Sequence, residues 1–282
     1  MSARPLARPA EAPTRPGWGL RRPPDVLLAI ITPIGLLLLW ELLVRANVLD
    51  FRFFPPPSRI ATAAGALVAN GELLVHVKAS LYRIVLGFAI GAAIGIPVGL
   101  ALGSFRILRV MFDPILSALY VIPKIAILPL IMLIFGLGEG SKIAIVALAT
   151  FFVVAINSLA GVRQVEPILI EAGRNFGARG LQMFRHVIFP GALPSIFTGL
   201  RLGAGTALLV IIAAEFVAAN EGIGFLIWRS WTTLVTENMF VGFVVIAALG
   251  TLSTWLLHRV GRLVMPWQAD ELDLVASRRE NA

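Results

Sequence analysis

Six runs of about twenty mostly apolar residues are the feature of this sequence that most restricts its fold. They cover residues 26–43, 84–102, 115–135, 143–159, 196–216 and 240–257. A helix needs about 20 apolar residues to cross the roughly 30 Å hydrocarbon core of a bilayer. Because a spanning segment must satisfy its own backbone hydrogen bonds, the runs predict six transmembrane helices and an all-α, polytopic membrane protein.

The chain carries too little charge to cover a water-facing surface. Charged residues make up 14% and hydrophobic residues 58% of the 282 positions, whereas soluble domains carry about 25% charged residues. This composition excludes a soluble enzyme and a disordered regulator. The sequence has no cysteine and only three separated histidines, so neither a catalytic residue nor a metal site is predicted.

Basic residues are distributed unevenly between the two sides of the predicted spans. If both termini are cytosolic, 15 Lys and Arg lie in cytosolic segments and 7 lie on the opposite side. Cytosolic loops of membrane proteins carry such an excess of basic residues. The distribution predicts cytosolic termini. It also explains the net charge of +8 by the cytosolic ends of membrane spans, so no contact with nucleic acid is predicted.

The chain divides into four predicted regions. Residues 1–24 contain five arginines and form a disordered basic cytosolic tail; a signal peptide is the alternative, but no A-x-A cleavage site follows the first apolar run. Residues 25–75 hold the first transmembrane helix and an outer connecting segment. Residues 76–265 form the main transmembrane domain, and residues 266–282 form a cytosolic C-terminal tail.

The second apolar run contains five glycines spaced four residues apart. They are Gly87, Gly91, Gly95, Gly99 and Gly103. This spacing places them on one face of a helix, where another helix can approach closely. The favoured interpretation is packing against another helix of the same chain, and a dimer seam or a sliding surface is the alternative.

The third apolar run is preceded by Pro114, interrupted by Pro123 and Pro129, and contains Lys124. Proline frees backbone carbonyls, and broken spans often line a polar cavity. A cation at membrane depth indicates a functional site, although a long lysine side chain can also reach the interface. Lys124 and Pro123 therefore belong to the candidate solute pathway, and the cation favours an anionic solute.

The fifth run is predicted to begin near Pro194, a proline suited to the first turn of a helix. Arg201 lies further along this run, and Glu215 lies near its far end. Both residues are added to the candidate solute pathway. For Glu215, an exposed interfacial carboxylate is the favoured interpretation, and gating or contact with the solute is the alternative.

Residues 162–191, between the fourth and fifth runs, have the pattern of two short amphipathic helices. Pro167 can open the first helix, apolar side chains recur at three- and four-residue intervals, and Gly177 suits a left-handed cap. A second helix is predicted from about Leu181 to Ile188, followed by Pro190. Two such helices outside the bilayer indicate a contact surface for a cytosolic partner.

The spacing of Glu171, Ala172, Gly177 and Pro190 resembles the E-A-A-x3-G-x9-I-x-L-P motif of binding-protein-dependent ABC transporter permeases. Three positions depart from this motif, where Gly173, Val187 and Phe189 replace Ala, Ile and Leu. The segments FPPPSR at 54–59, IPKIAILPLIMLIFGLGEGSK at 122–142 and AAEFVAANEGIGFLI at 213–227 are similar to the sulfonate, taurine and nitrate branch of the family.

This resemblance implies a type I importer permease domain at 76–265 in a bacterial inner membrane. Two copies of the permease would form the pore, two cytosolic ATPases would each hold one coupling segment, and an outer solute-binding protein would deliver the solute. The implied ATPase contacts are Glu171, Ala172, Gly173, Phe176, Gly177 and Pro190. ATP and Mg would belong to the ATPase, and this chain is expected to bind no cofactor.

The sequence contains no G-x4-G-K-[ST] phosphate loop, so this chain is not expected to be an enzyme or to cradle ATP phosphates by that route. A secondary transporter or channel not driven by ATP is the alternative function. Such proteins often show inverted repeats and intramembrane acidic residues. Neither a repeat nor a mid-span Asp or Glu is evident here.

Overall fold

A computed structural model describes residues 25–267. The predicted N-terminal tail at 1–24 lies outside the described residues, as does the predicted C-terminal tail from residue 268 onward. Within 25–267 the regular elements are all helical. This agrees with the all-α fold that the apolar runs predict.

The described part of the chain contains eleven α-helices in sequence order. They are α1 (Asp25–Arg45), α2 (Pro57–Ala69), α3 (Glu72–Ser104), α4 (Arg106–Val121), α5 (Leu128–Phe135), α6 (Glu139–Arg163), α7 (Pro167–Asn175), α8 (Leu181–Met183), α9 (Phe189–Ala218), α10 (Ile223–Thr232) and α11 (Thr236–Val264). A 3₁₀ segment, Lys124–Ile127, precedes α5, and a π-helical segment, Phe184–Ile188, joins α8 to α9.

Five helices are long and apolar enough to cross a membrane: α1, α3, α6, α11 and the continuous helix Leu181–Ala218. The remaining predicted span, which is the third along the chain, is a bent pair in which α4 meets residues Lys124–Phe135 at 90°. Five of the six apolar runs are therefore continuous helices, and the third is helical on both sides of a break at Ile122 and Pro123. The helices extend beyond the runs because the helical hydrogen bonds continue into polar turns such as the one that begins at Glu72.

The fifth span begins earlier than the sequence predicts. The short helix at Leu181 continues through the π-helical segment into α9, so it is not separate from the span. Pro190 lies in the first turn of α9 and Pro194 lies inside it, not at its start. Pro190 cannot donate to the carbonyl four residues earlier, and the wider π turn directly before it accommodates this irregularity.

The core of the bundle consists of α3, α6 and α9, with α6 in the middle. The five glycines of α3 face α6, where each one lies against a small or β-branched residue; the partners are Val146, Thr150, Val154, Ser158 and Val162. These partners also recur every four residues, so two matching faces meet along the whole seam. The seam lies within one chain, and the glycine face is covered by α6 rather than open to a second copy.

The two ends of the bundle can be told apart by the short helices they carry. α3, α6 and α11 run from the end that holds α10 to the end that holds α7, and α9 runs back. The Trp40 ring of α1 lies 5.4 Å from the Phe240 ring near the start of α11. Asp25 and Val264 are therefore both near the α7 end.

Candidate functional site

The segment that the sequence marks as a partner contact projects from the α7 end of the bundle. α7 has no buried residue among its nine. Its apolar side chains are open to the surroundings: Ile168 is 67% exposed, and Phe176, just after the helix, is 92% exposed. Glu171 is also exposed. Apolar side chains grouped on such a projection form an interaction surface rather than a part of the core.

Gly177 ends α7 in the left-handed conformation, with φ of +84°. The Gly177 N–H donates to the Arg174 carbonyl and the Ala178 N–H donates to the Gly173 carbonyl, each at 2.9 Å. These two bonds are those of a Schellman cap, in which a glycine avoids the cost of a left-handed side chain. Gly177 therefore fixes the direction in which the chain leaves α7.

Gly173 faces the inside of the loop. A Cβ atom at Gly173 would lie 3.0 Å from Val187 Cγ2 and 3.2 Å from Met183 Cε. Ala172 is half-buried, and so is Pro190 at the start of α9. The motif residues therefore divide into an exposed set, which includes Glu171 and Phe176, and a packed set that holds α7 against the following helix.

Lys124 lies at the bend between α4 and α5, and its ammonium is bonded to the main chain. Lys124 Nζ donates to the carbonyls of Leu119, Tyr120 and Ile122 at 2.8, 2.9 and 2.8 Å. It also lies 4.5 Å from the centre of the Phe152 ring. A cation at a helix C-terminus satisfies the last carbonyls and the negative end of the helix dipole. In this conformation the lysine stabilises the break in the span.

A cavity of about 520 Å³ opens beside this break. Its walls come from the bend, including Pro123 and Lys124, and from residues of α6 and α9 such as Val153 and Thr206. The walls are mostly apolar, and Lys124 is the charged residue among them. The cavity is therefore a candidate section of a pathway for a small solute with a positive charge at its edge.

Arg201 lies elsewhere. Its Nη2 atom is 3.5 Å from the position that a Cβ atom of Gly261 would take, which places Arg201 beside α11 toward the α7 end. Its Nε is buried and has no hydrogen-bond partner within residues 25–267. Arg201 is not among the residues that line the cavity beside Lys124, so the structure does not bring these two cations together.

Glu215 is fully buried, so the exposed interfacial carboxylate considered for it is wrong. Its oxygens accept hydrogen bonds from Arg83 Nη1 at 2.6 Å, from the Ser80 hydroxyl at 2.8 and 2.9 Å and from the Gly224 N–H at 2.8 Å. Arg83 also donates to Glu139, through Nε at 2.6 Å and Nη2 at 2.7 Å. In this conformation the Glu215 carboxylate has no surface open to a solute.

Ser80, Arg83, Glu139 and Glu215 form what we call the Arg83 cluster, at the α10 end of the bundle. The second apolar run begins at residue 84, so the sequence predicts Arg83 on the outer side of the membrane and gives no role to Ser80 or Glu139. One signal is present: Arg83 precedes Gly87 by four residues, so it lies on the same helix face as the glycines. A cation on a packed face needs a buried partner.

Comparison with known proteins also indicates a membrane component of a transport system. A family model described as "Binding-protein-dependent transport system inner membrane component" matches residues 91–266. The chain is 38% identical over 250 residues to the aliphatic sulfonates transport permease protein SsuC of Escherichia coli (strain K12), covering 89% of this chain and 93% of that protein. It is 37% identical over 258 residues to the taurine transport system permease protein TauC of the same organism, covering 90% and 93%.

Two further similarities are more distant. The nitrate import permease protein NrtB of Synechocystis sp. (strain ATCC 27184 / PCC 6803 / Kazusa) is 28% identical over 252 residues, covering 86% of this chain and 90% of that protein. An inward-facing structure of the MetNI methionine ABC transporter matches with a TM-score of 0.54 and 20% identity, covering 66% of this chain and 93% of the matched chain. At that identity the structural match concerns the fold alone.

Proposed function

The chain belongs to the binding-protein-dependent transport system inner membrane components, and from that premise we propose that it forms the solute pathway for a small anion of the sulfonate, taurine or nitrate class. It is a multi-pass inner-membrane permease subunit of an ABC importer with the type I fold, and it is not itself an ATPase. The family implies assembly with an ABC ATPase and a binding protein.

The observation that carries the coupling of this permease to an ATPase is α7, a helix with no buried residue that stands between two membrane spans. Its exposed face, with Glu171 and Phe176, is proposed as the ATPase contact, and the packed residues Gly173 and Pro190 support it. We also propose the composition of the assembly: two copies of this chain and two ATPases that hold ATP and Mg, with the termini of this chain on the cytosolic side together with α7. The boundary between the predicted regions 25–75 and 76–265 stays a prediction.

Replacing Gly177 by valine is expected to weaken ATPase binding about tenfold. A left-handed L-residue costs about 1–2 kcal/mol, so the free loop leaves the capped conformation, and binding must restore it. A Cβ atom at Gly177 would meet nothing within 4 Å, so the cost lies in the backbone cap and not in a clash. The measurement is the affinity of the purified permease for its ATPase.

Gly65 provides the matched control. It lies inside α2, and a Cβ atom there also meets nothing within 4 Å. Gly65→Val should leave the affinity unchanged because the helical backbone accepts a side chain. Equal affinities of the Gly177→Val and unchanged proteins would contradict the role of α7 as the coupling contact.

The anionic solute class is supported by the three relatives, whose names give sulfonates, taurine and nitrate, and by the single charge at the cavity beside the break. The ammonium of Lys124 is held by three carbonyls, so we propose that it acts as a fixed positive charge at the edge of the pathway. Pro123 is proposed to shape the bend that opens this cavity. The contributions of Arg201 and Glu215 to the pathway stay predictions.

Replacing Lys124 by methionine is expected to lower import of an anion at least about tenfold, while Lys124→Arg keeps most of it, since arginine retains the charge and carbonyl donors. Import of taurine, an alkanesulfonate and nitrate is measured in vesicles that contain the whole importer with ATP inside. A thermal unfolding curve of each variant separates a lost pathway charge from a lost fold. Unchanged import of every tested anion by a folded Lys124→Met protein would remove this part of the proposal.

A further inference from the structure

One guanidinium joins three core helices and the turn before α10. Arg83 of α3 contacts Glu139 in the first turn of α6 and Glu215 in the last turn of α9. Its Nη1 also donates to the carbonyl of Glu221 at 2.7 Å. Arg83 is 3% exposed and Glu215 is fully buried. The outer turns of these elements are therefore connected through one buried charge.

Three consecutive N–H groups at the start of α10 donate to side chains of the core. The Gly222 N–H donates to His76 Nδ1 at 3.1 Å, the Ile223 N–H to the Ser80 hydroxyl at 2.8 Å and the Gly224 N–H to Glu215 at 2.8 Å. The first N–H groups of a helix have no partner within the helix. Here residues of α3 and α9 accept them, and the Glu215 charge also suits the positive end of the α10 dipole.

Two glycines allow this close approach. Gly222 has a φ of +126°, and a Cβ atom on it would overlap the Glu215 carboxylate. A Cβ atom on Gly224 would lie 2.6 Å from the Ile212 carbonyl oxygen and 2.7 Å from Glu215 Cβ. The turn before α10 and the first turn of α10 therefore pack directly against the Glu215 carboxylate, and neither glycine has space for a side chain.

We propose that the Arg83 cluster attaches α10 to α3, α6 and α9, so that α10 moves with this core as one rigid body when the importer changes conformation. The inference rests on the proposed transport function. Lifting α10 from α3 and α9 would take the Glu221 carbonyl away from Arg83. It would also take the Ile223 and Gly224 N–H donors away from the buried Ser80 hydroxyl and Glu215 carboxylate. Buried polar groups that lose a partner cost more than apolar contacts that slide past one another. During the conformational change, α3, α6, α9 and α10 therefore move together relative to the parts of the importer outside these four helices.

A cross-link between α3 and α10 tests whether the two helices stay together during transport. The sequence contains no cysteine, so an introduced pair is the only cysteine pair in this chain that can be linked. The pair Glu72 and Arg229 joins the two helices outside the cluster, with Nη1 and Oε1 3.0 Å apart. Both side chains are partly exposed, and an exposed ion pair of this kind contributes little to stability. The double variant Glu72→Cys/Arg229→Cys is joined by a short, cleavable thiol-specific linker in the assembled importer.

The expected result is that the cross-linked importer keeps at least half of the import rate of the same protein before linking. Loss of import on linking, with recovery when the linker is cleaved, would overturn the proposal, since it would show that α10 leaves α3 during transport. The two single variants treated with the reagent control for modification alone. If the importer with the unchanged chain shows no ATP-dependent import, the proposed function fails instead.

A second measurement tests whether the cluster is what holds α10. In the whole importer, Ser80→Ala and Glu215→Gln should each raise the hydrogen-exchange rate of residues 222–224 at least about tenfold, with no change in the middle of α6. Ser80→Ala is the milder change and keeps the test available if Glu215→Gln does not fold. Unchanged exchange at 222–224 in a folded variant would contradict the role of the cluster.

Discussion

Replacing Glu215 by alanine is expected to lower the free energy of unfolding by about 3–5 kcal/mol, the range for a buried ion pair that loses one partner. The substitution removes one of the two carboxylates that neutralise Arg83, which is 3% exposed. It also removes the acceptor for the Ser80 hydroxyl and for the Gly224 N–H. Unfolding of the detergent-purified protein by heat or denaturant measures the change.

A double-mutant cycle separates the pair from the rest of this effect. Arg83→Met should also be strongly destabilising, and Arg83→Met combined with Glu215→Ala should cost at least about 1 kcal/mol less than the two single changes together. The exposed pair of Asp50 and Arg52, 2.8 Å apart, supplies the control, and Asp50→Ala should change stability little. A loss for Glu215→Ala as small as that for Asp50→Ala would contradict the cluster.

The transmembrane helices were predictable because the bilayer imposes a length on each apolar run. The sequence placed all six runs in helices, and their ends were the uncertain part. The first turn of α6 shows why: Glu139 begins the helix, yet it is a charged residue outside the apolar run. Helical hydrogen bonds and the pairing with Arg83 continue the helix there, and neither is visible in hydropathy.

The Arg83 cluster was not predictable because its partners are far apart in the chain. Arg83 is 56 residues from Glu139 and 132 residues from Glu215. The sequence shows that Arg83 continues the glycine face of α3, which predicts burial. It does not show which carboxylates reach it, since that depends on how α6 and α9 pack beside α3.

The break in the third span was predictable in part. The prolines indicate freed carbonyls that need donors, and Lys124 indicates a cation at membrane depth. Only the structure shows that the lysine is the donor for the freed carbonyls, since Lys124 Nζ donates to three of them at the bend. For α7, by contrast, local signals were sufficient, since the Gly177 cap depends on residues within one turn.

Replacing Gly91 by valine is expected to prevent α3 from packing on α6. A Cβ atom at Gly91 would lie 2.7 Å from Thr150 Cβ and would also press on the main-chain oxygen of Ala147. A side chain could rotate away, but a backbone oxygen moves only with its helix, so α3 and α6 must separate. Overpacking typically costs 1–3 kcal/mol, and we expect at least about 3 kcal/mol here because the obstacle is backbone.

Gly205 is the matched control because it lies inside α9, a helix of the same core. A Cβ atom at Gly205 meets nothing within 4 Å, so Gly205→Val should leave the folded yield and unfolding temperature nearly unchanged. Gly91→Val should lower both, and it should raise hydrogen exchange in α3 and α6 together because the two helices share the seam. If the two valine variants behave alike, helix propensity rather than close packing explains the glycines of α3.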